Sequence, residues 1–210
     1  MWPVGYICAM NFPSQLIEQA VNELSRFPGV GKKSALRMVL YLLKQDVTSA
    51  NRLADSISRL RSEIKFCSRC HNVSDGEICS ICNSPRRNNE IICVVEDLRD
   101  VMAIENTSQF SGLYFVLGGL ISPMDGIGPE LLNIEHLITR IKEEGIKEVL
   151  VALSATMEGD TTTFYLSKKL RDLPVSITTI SRGISVGGEI EYADEVTLGR
   201  SIQNRIPYKG

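Results

Sequence analysis

Apolar positions follow two different rules along the chain. Leu16, Ile17, Val21 and Leu24 recur at helical spacing, and Leu53, Ile57, Leu60 and Ile64 follow at steps of four, three and four. Both runs predict amphipathic helices. Beyond residue 90 the apolar residues gather instead into short contiguous or β-branched runs, at 91–95, 113–117, 149–153 and 175–180, with helical patterns near 97–105, 129–144 and 161–173 between them. Strands alternating with helices predict an α/β architecture, a mostly parallel sheet flanked by helices, in which ligands bind beyond the carboxyl ends of the strands.

Residues 66–85 fit neither rule, having too few apolar side chains to fold by burial. They carry Cys67, Cys70, Cys79 and Cys82, two C-x-x-C pairs with eight residues between them, a spacing that lets two knuckles close tetrahedrally on one Zn²⁺. The metal would deprotonate the thiols and supply roughly 10–16 kcal/mol of folding energy. Four cysteines complete such a site, which leaves His71 a bystander. Two disulfides, or four thiols of no consequence, are the alternative, disfavoured because no secretory signal is read and because two further cysteines, Cys8 and Cys93, stand in apolar contexts. Neither pair opens a helix after a buried strand, as a thioredoxin-like redox pair would.

The composition is that of an ordinary globular protein, 210 residues with 43% hydrophobic and 23% charged, and no run approaches the ~20 apolar residues needed to span a bilayer. Residues 1–10 are apolar without a basic start, so they do not read as a secretory signal, and Met10 is a second candidate start. The net charge of −2 conceals an asymmetry: residues 26–87 hold 12 Lys and Arg against 5 Asp and Glu, whereas residues 88–210 hold 11 against 18. A basic first part points to a polyanionic partner.

Within the basic part, Phe27-Pro28-Gly29-Val30-Gly31-Lys32-Lys33-Ser34-Ala35 predicts a tight turn opening a helix over about 34–43. Gly29 and Gly31 let the backbone approach a phosphate, while Lys32, Lys33 and Arg37 add charge on the same side. The segment resembles the helix-hairpin-helix motif, which binds the DNA backbone without reading sequence; a helix cap with surface lysines is the alternative. In the acidic part, Glu96 follows the first strand, and Glu158 and Asp160 lie on a predicted loop, 156–160, after the third. This placement resembles the Toprim domain, whose carboxylates hold Mg²⁺ in phosphoryl transfer, although many catalytic members have aspartate where Glu158 stands. Plain solvation, or capping of a helix by Asp160, is the other reading of these acids.

The hairpin, the four-cysteine finger, the Toprim-like region and the stretch 182–194 stand in the order found in the RecR family of bacterial recombination mediators. The resemblance covers about 11–207, departing at Ser185, where the family usually has proline. It implies a helical helix-hairpin-helix domain at 11–65, a zinc finger at 66–85, a Toprim domain at 90–181 and a C-terminal Walker-B-like segment at 182–210. It further implies a cytoplasmic DNA-repair protein that works with RecO and RecF to load RecA onto single-stranded DNA, as a dimer or a ring-like tetramer. Lys33 and Arg37 would contact DNA, and the Toprim acids would meet a partner or Mg²⁺. No G-x-x-x-x-G-K-[ST] loop is present to cradle the phosphates of ATP. The competing class is an Mg²⁺-dependent Toprim nuclease or nicking enzyme. Tyr114, in a predicted strand, and Tyr165, in a predicted helix, offer it no obvious nucleophile.

Overall fold

The computed structural model describes residues 12–181, 183–184 and 186–207, in two compact units that meet in sequence at Glu63 and Ile64. Cys8, Met10, Arg182 and Ser185 lie outside the described residues.

In the first unit, α1 (Gln15–Leu24) begins where the Ser14 hydroxyl accepts the Leu16 N–H at 3.2 Å. Helix α2 (Lys32–Leu42) packs against it through Val21, Ala35 and Val39, with Ile17, Leu24 and Val30 around them. This helix starts at Lys32, earlier than its apolar pattern indicates, because Gly31 takes the N-cap position in extended conformation. Helix α3 (Val47–Glu63) carries Leu53, Ile57 and Leu60 of the expected stripe and ends before Ile64, yet none of its residues is buried. Leu53, Ile57 and Leu60 remain 46%, 51% and 64% exposed.

The second unit opens with a short antiparallel hairpin, β1 (Lys65–Phe66) and β2 (Val73–Ser74). A parallel sheet follows in the order β4-β3-β5-β6, formed by β3 (Asn88–Val95), β4 (Gly112–Val116), β5 (Glu148–Val151) and β6 (Ser176–Thr179). Strands β3 and β4 read as continuous apolar runs because both faces of the sheet are covered. On one face Ile92, Val94, Phe115 and Val149 meet α5 (Ile134–Glu144) and α6 (Met157–Lys169). On the other, Cys93, Val95, Tyr114 and Val116 meet Val101 of α4 (Leu98–Asn106). The connections leaving the neighbouring strands β3 and β5 therefore part to opposite faces, which opens a crevice between their carboxyl ends.

Two sequence expectations change here. The pattern over 129–144 divides into a 3-10 turn, Pro129–Leu131, and α5, because the Asn133 amide turns back to donate to the carbonyls of Val116 and Leu117 at 3.3 and 3.2 Å. The expected loop at 156–160 is largely helix, since the Thr156 hydroxyl accepts the Gly159 N–H at 3.2 Å and starts α6 at Met157. Glu158 and Asp160 thus stand in a helical first turn, and Thr156, not Asp160, is the cap. A final helix, α7 (Glu195–Gln203), is capped by Asp194.

Candidate metal centre and nucleic-acid interface

Hairpin β1–β2 and the turn after it bring four sulfurs together. The Sγ atoms of Cys67, Cys70, Cys79 and Cys82 all lie within 4.8 Å of one another, buried, and those of Cys70 and Cys79 are 3.6 Å apart. Zn–S bonds of about 2.3 Å in a tetrahedron place neighbouring sulfurs roughly 3.8 Å apart, so the donor set fits a closed Zn²⁺ site. Backbone N–H groups support it, Cys79 donating to Cys67 Sγ at 3.3 Å and Cys82 to Cys79 Sγ at 3.4 Å. Hydrogen bonding to the Cys79 sulfur pushes the Cys70 thiol up, while the same contact draws Cys79 down. A cation is needed to ionise all four. His71 is no ligand: its ring shares a 2.5 Å hydrogen bond with His136 and packs edge-on against Phe115.

In the first unit, the turn before α2 has Gly29 at φ +78°, a left-handed conformation that suits glycine, and closes with Val30 N–H to Phe27 O at 3.0 Å. Gly31, at φ −80° and ψ 164°, is ordinary extended backbone, so a substitution there does not strain the turn. Neither glycine has any atom within 4 Å of where a Cβ would stand. Gly31 provides no side-chain cap, so the first N–H groups of α2 are open to an anion. Lys32, Lys33 and Arg37 are exposed, and among the described residues no carboxylate pairs with them. Among the described residues, Arg37 reaches only the Ser34 hydroxyl, at 3.3 Å.

Glu96, directly after β3, is partly buried, and burial pushes its carboxyl up, helped by Asp100 and Asp97. Across the sheet end, Arg200 of α7 stands 3.8 Å from Asp160. Among the described residues, Glu96, Glu158 and Asp160 do not converge into a three-ligand group. They do not fit a three-carboxylate Mg²⁺ site in this arrangement.

Four family models match in succession: the RecR helix-hairpin-helix over 17–60, the RecR four-cysteine zinc-finger domain over 64–84, the Toprim domain over 90–181 and the RecR C-terminal region over 183–206. The chain is 57% identical over 199 residues to the recombination protein RecR of Amoebophilus asiaticus, covering 95% of this chain and 100% of that relative. It is likewise 57% identical to RecR of Flavobacterium psychrophilum and 56% to RecR of Bacteroides thetaiotaomicron, covering 95% of this chain and 97% of each relative. The chain belongs to the RecR family. As a member of the RecR family it combines helix-hairpin-helix, four-cysteine zinc-finger and Toprim parts, and no helix among the described residues is long and apolar enough to cross a membrane.

Two structural residues of this RecR-family chain escaped the sequence reading. Gly159 is one: a Cβ there would stand 2.0 Å from the Ser154 carbonyl oxygen, so the β5–α6 turn that carries Glu158 and Asp160 tolerates only glycine. Gly159→Ala is expected to cost about 1–3 kcal/mol of overpacking. That is a fall of roughly 2–12 °C in the midpoint of the second unit, measurable by calorimetry. The other is Arg140, an arginine among Leu137, Ile138 and Ile141 on the buried face of α5. A cation at that position in an apolar stripe was the available signal.

Proposed function

We propose that the chain is a non-enzymatic, cytoplasmic recombination mediator in DNA repair. It binds DNA through the α1–α2 hairpin (domain 11–65) and holds one structural Zn²⁺ on Cys67, Cys70, Cys79 and Cys82 (66–85). The Toprim domain (90–181) meets a partner, and a Walker-B-like C-terminal segment spans 182–210. As the family resemblance implies, it works with RecO and RecF to load RecA onto single-stranded DNA, as a dimer or a ring-like tetramer. The observation that carries the reading is the bare glycine turn at Gly29–Gly31, which presents open helix N–H groups beside Lys32, Lys33 and Arg37.

Chemistry on the phosphodiester has little support. Among the described residues the Toprim carboxylates do not converge, and Tyr114 and Tyr165 are both engaged. The Tyr114 hydroxyl is held above its ordinary range by burial and by its 2.8 Å hydrogen bond to Glu105, and Lys169 lies over the Tyr165 ring. Incubation of supercoiled, linear and single-stranded DNA with Mg²⁺ or Mn²⁺ is therefore expected to leave the DNA intact. Glu96→Ala, Glu158→Ala and Asp160→Ala should keep DNA affinity within about twofold while slowing RecO-dependent loading, because acidic loop ends suit a basic partner. Metal-dependent nicking that disappears in Glu96→Ala would replace the mediator by the Toprim nuclease.

A further inference from the structure

Arg140 has only 2% of its side chain exposed, yet its guanidinium is almost fully engaged. Its Nε donates to Glu144 Oε2 at 3.0 Å, and its Nη1 donates to the carbonyls of Arg69 and Tyr114, each at 3.0 Å. Its Nη2 points at Cys82 Sγ, 3.9 Å away. Arg69, inside the first knuckle, grips the same centre from outside: its Nη2 meets Glu144 Oε1 at 2.9 Å and its Nη1 donates to the Cys82 carbonyl at 3.2 Å. Glu144 is thus shared by two arginines, and the two hold Cys82 by its sulfur and its carbonyl.

Electrostatics gives this arrangement a purpose. Four thiolates around one Zn²⁺ leave negative charge in excess, and these sulfurs are buried, where uncompensated charge is costly. A guanidinium at Cys82 offsets part of that charge, and its planar fork reaches several acceptors at once. The acceptors span distant parts of the chain: Arg69 belongs to the knuckle and Tyr114 to β4, an edge strand of the sheet. The Val116 N–H on that edge also donates to the Cys70 carbonyl, at 2.8 Å. The metal centre therefore closes an edge that would otherwise present unpaired backbone groups.

We propose that Arg140 is a positioning residue of the metal centre, supplying counter-charge to the thiolates through Cys82 and coupling the centre to the β4 edge. This rests on the Zn²⁺ reading, which the zinc content of the unaltered protein tests separately. The test of Arg140 uses the full chain with Co²⁺ in place of Zn²⁺. In Arg140→Met the sulfur-to-cobalt charge-transfer band is expected to move to longer wavelength, because a thiolate without its donor yields charge more readily. The ligand-field bands of a four-sulfur tetrahedral site should stay in place. Zinc transfer to a competing chelator should quicken by about 10–100-fold, the fall in metal affinity usual on losing an outer partner of a ligand being carried by the release rate. Arg140→Lys, which keeps the charge without the fork, should fall between. An unmoved band and an unaltered release rate in folded Arg140→Met would overturn the proposal. If that variant does not fold, Glu144→Gln, which removes the shared carboxylate, is expected to speed release by about threefold or more. Wild-type release rates in both Glu144→Gln and Arg140→Lys would equally overturn it.

Discussion

Replacing Cys79 by serine is expected to remove the metal and loosen the whole 64–84 segment, with zinc content falling from about one atom per chain to near none. The reason lies in what the segment buries. Its core cluster is the four cysteines, with only Ile81 packed against them, so no aliphatic core remains once the sulfurs lose their cation. Binding of structural zinc contributes roughly 10–16 kcal/mol in small modules, and loss of even 5 kcal/mol corresponds to about 10–20 °C in the midpoint of a domain near this size. The damage should reach the sheet, because the Val116 N–H bonds to the Cys70 carbonyl and Arg140 bonds to both Arg69 and Tyr114. Hydrogen exchange should therefore report lost protection at the Cys67 and Val116 amides together. The unaltered protein should also lose zinc as pH falls, since protons compete for the thiolates. A Cys79→Ser protein that retains full zinc and its melting point would sink the closed-site reading.

Features set by local spacing were legible in the sequence, whereas features that depend on distant neighbours were not. The paired cysteines and the buried runs of β3 and β4 announce themselves, because ligand spacing and two-sided burial leave contiguous marks. The stripe of α3 was readable as periodicity, but where it is buried was not: Leu53, Ile57 and Leu60 find no cover within their unit. Glu158 and Asp160 were placed after the correct strand and on the wrong local structure. The Thr156 cap and the fit of Gly159 against Ser154 O extend α6 back over them, and the sequence does not display that carbonyl. Arg140 bonds to residues 71 and 26 positions away, a separation at which no local pattern operates. His71 is likewise no idle neighbour of the cysteines, since its left-handed backbone, at φ +60°, accompanies a ring bonded to His136.

Lys33→Glu and Arg37→Glu are each expected to weaken DNA binding by about tenfold near 0.1 M salt, almost equally for all sequences, with the deficit vanishing toward 1 M. The figure follows from counterion release. Each phosphate contact contributes a slope of about −0.9 in log K against log salt on duplex DNA and about −0.7 on a single strand. Losing one contact therefore costs about a decade across a tenfold range of salt, and the slope itself should become shallower by about one unit. Both side chains are exposed and lack a carboxylate partner among the described residues, so charge reversal should leave the fold of α1 and α2 intact. Gly31→Ala separates backbone approach from charge. Its extended conformation accepts a side chain and its Cβ meets nothing, so the variant should fold, at a cost of about 0.5–1 kcal/mol because alanine caps a helix less well than glycine. The added methyl nevertheless stands beside the open N–H groups of α2, where a phosphate oxygen would sit. Affinity should fall while the salt slope stays unchanged. Gly29→Ala cannot serve the same purpose, since at φ +78° it strains the turn and mixes folding with binding. Titrations across salt concentrations by fluorescence anisotropy decide the matter: equal affinities and slopes in Lys33→Glu, Arg37→Glu and Gly31→Ala would remove the hairpin from the DNA-binding surface.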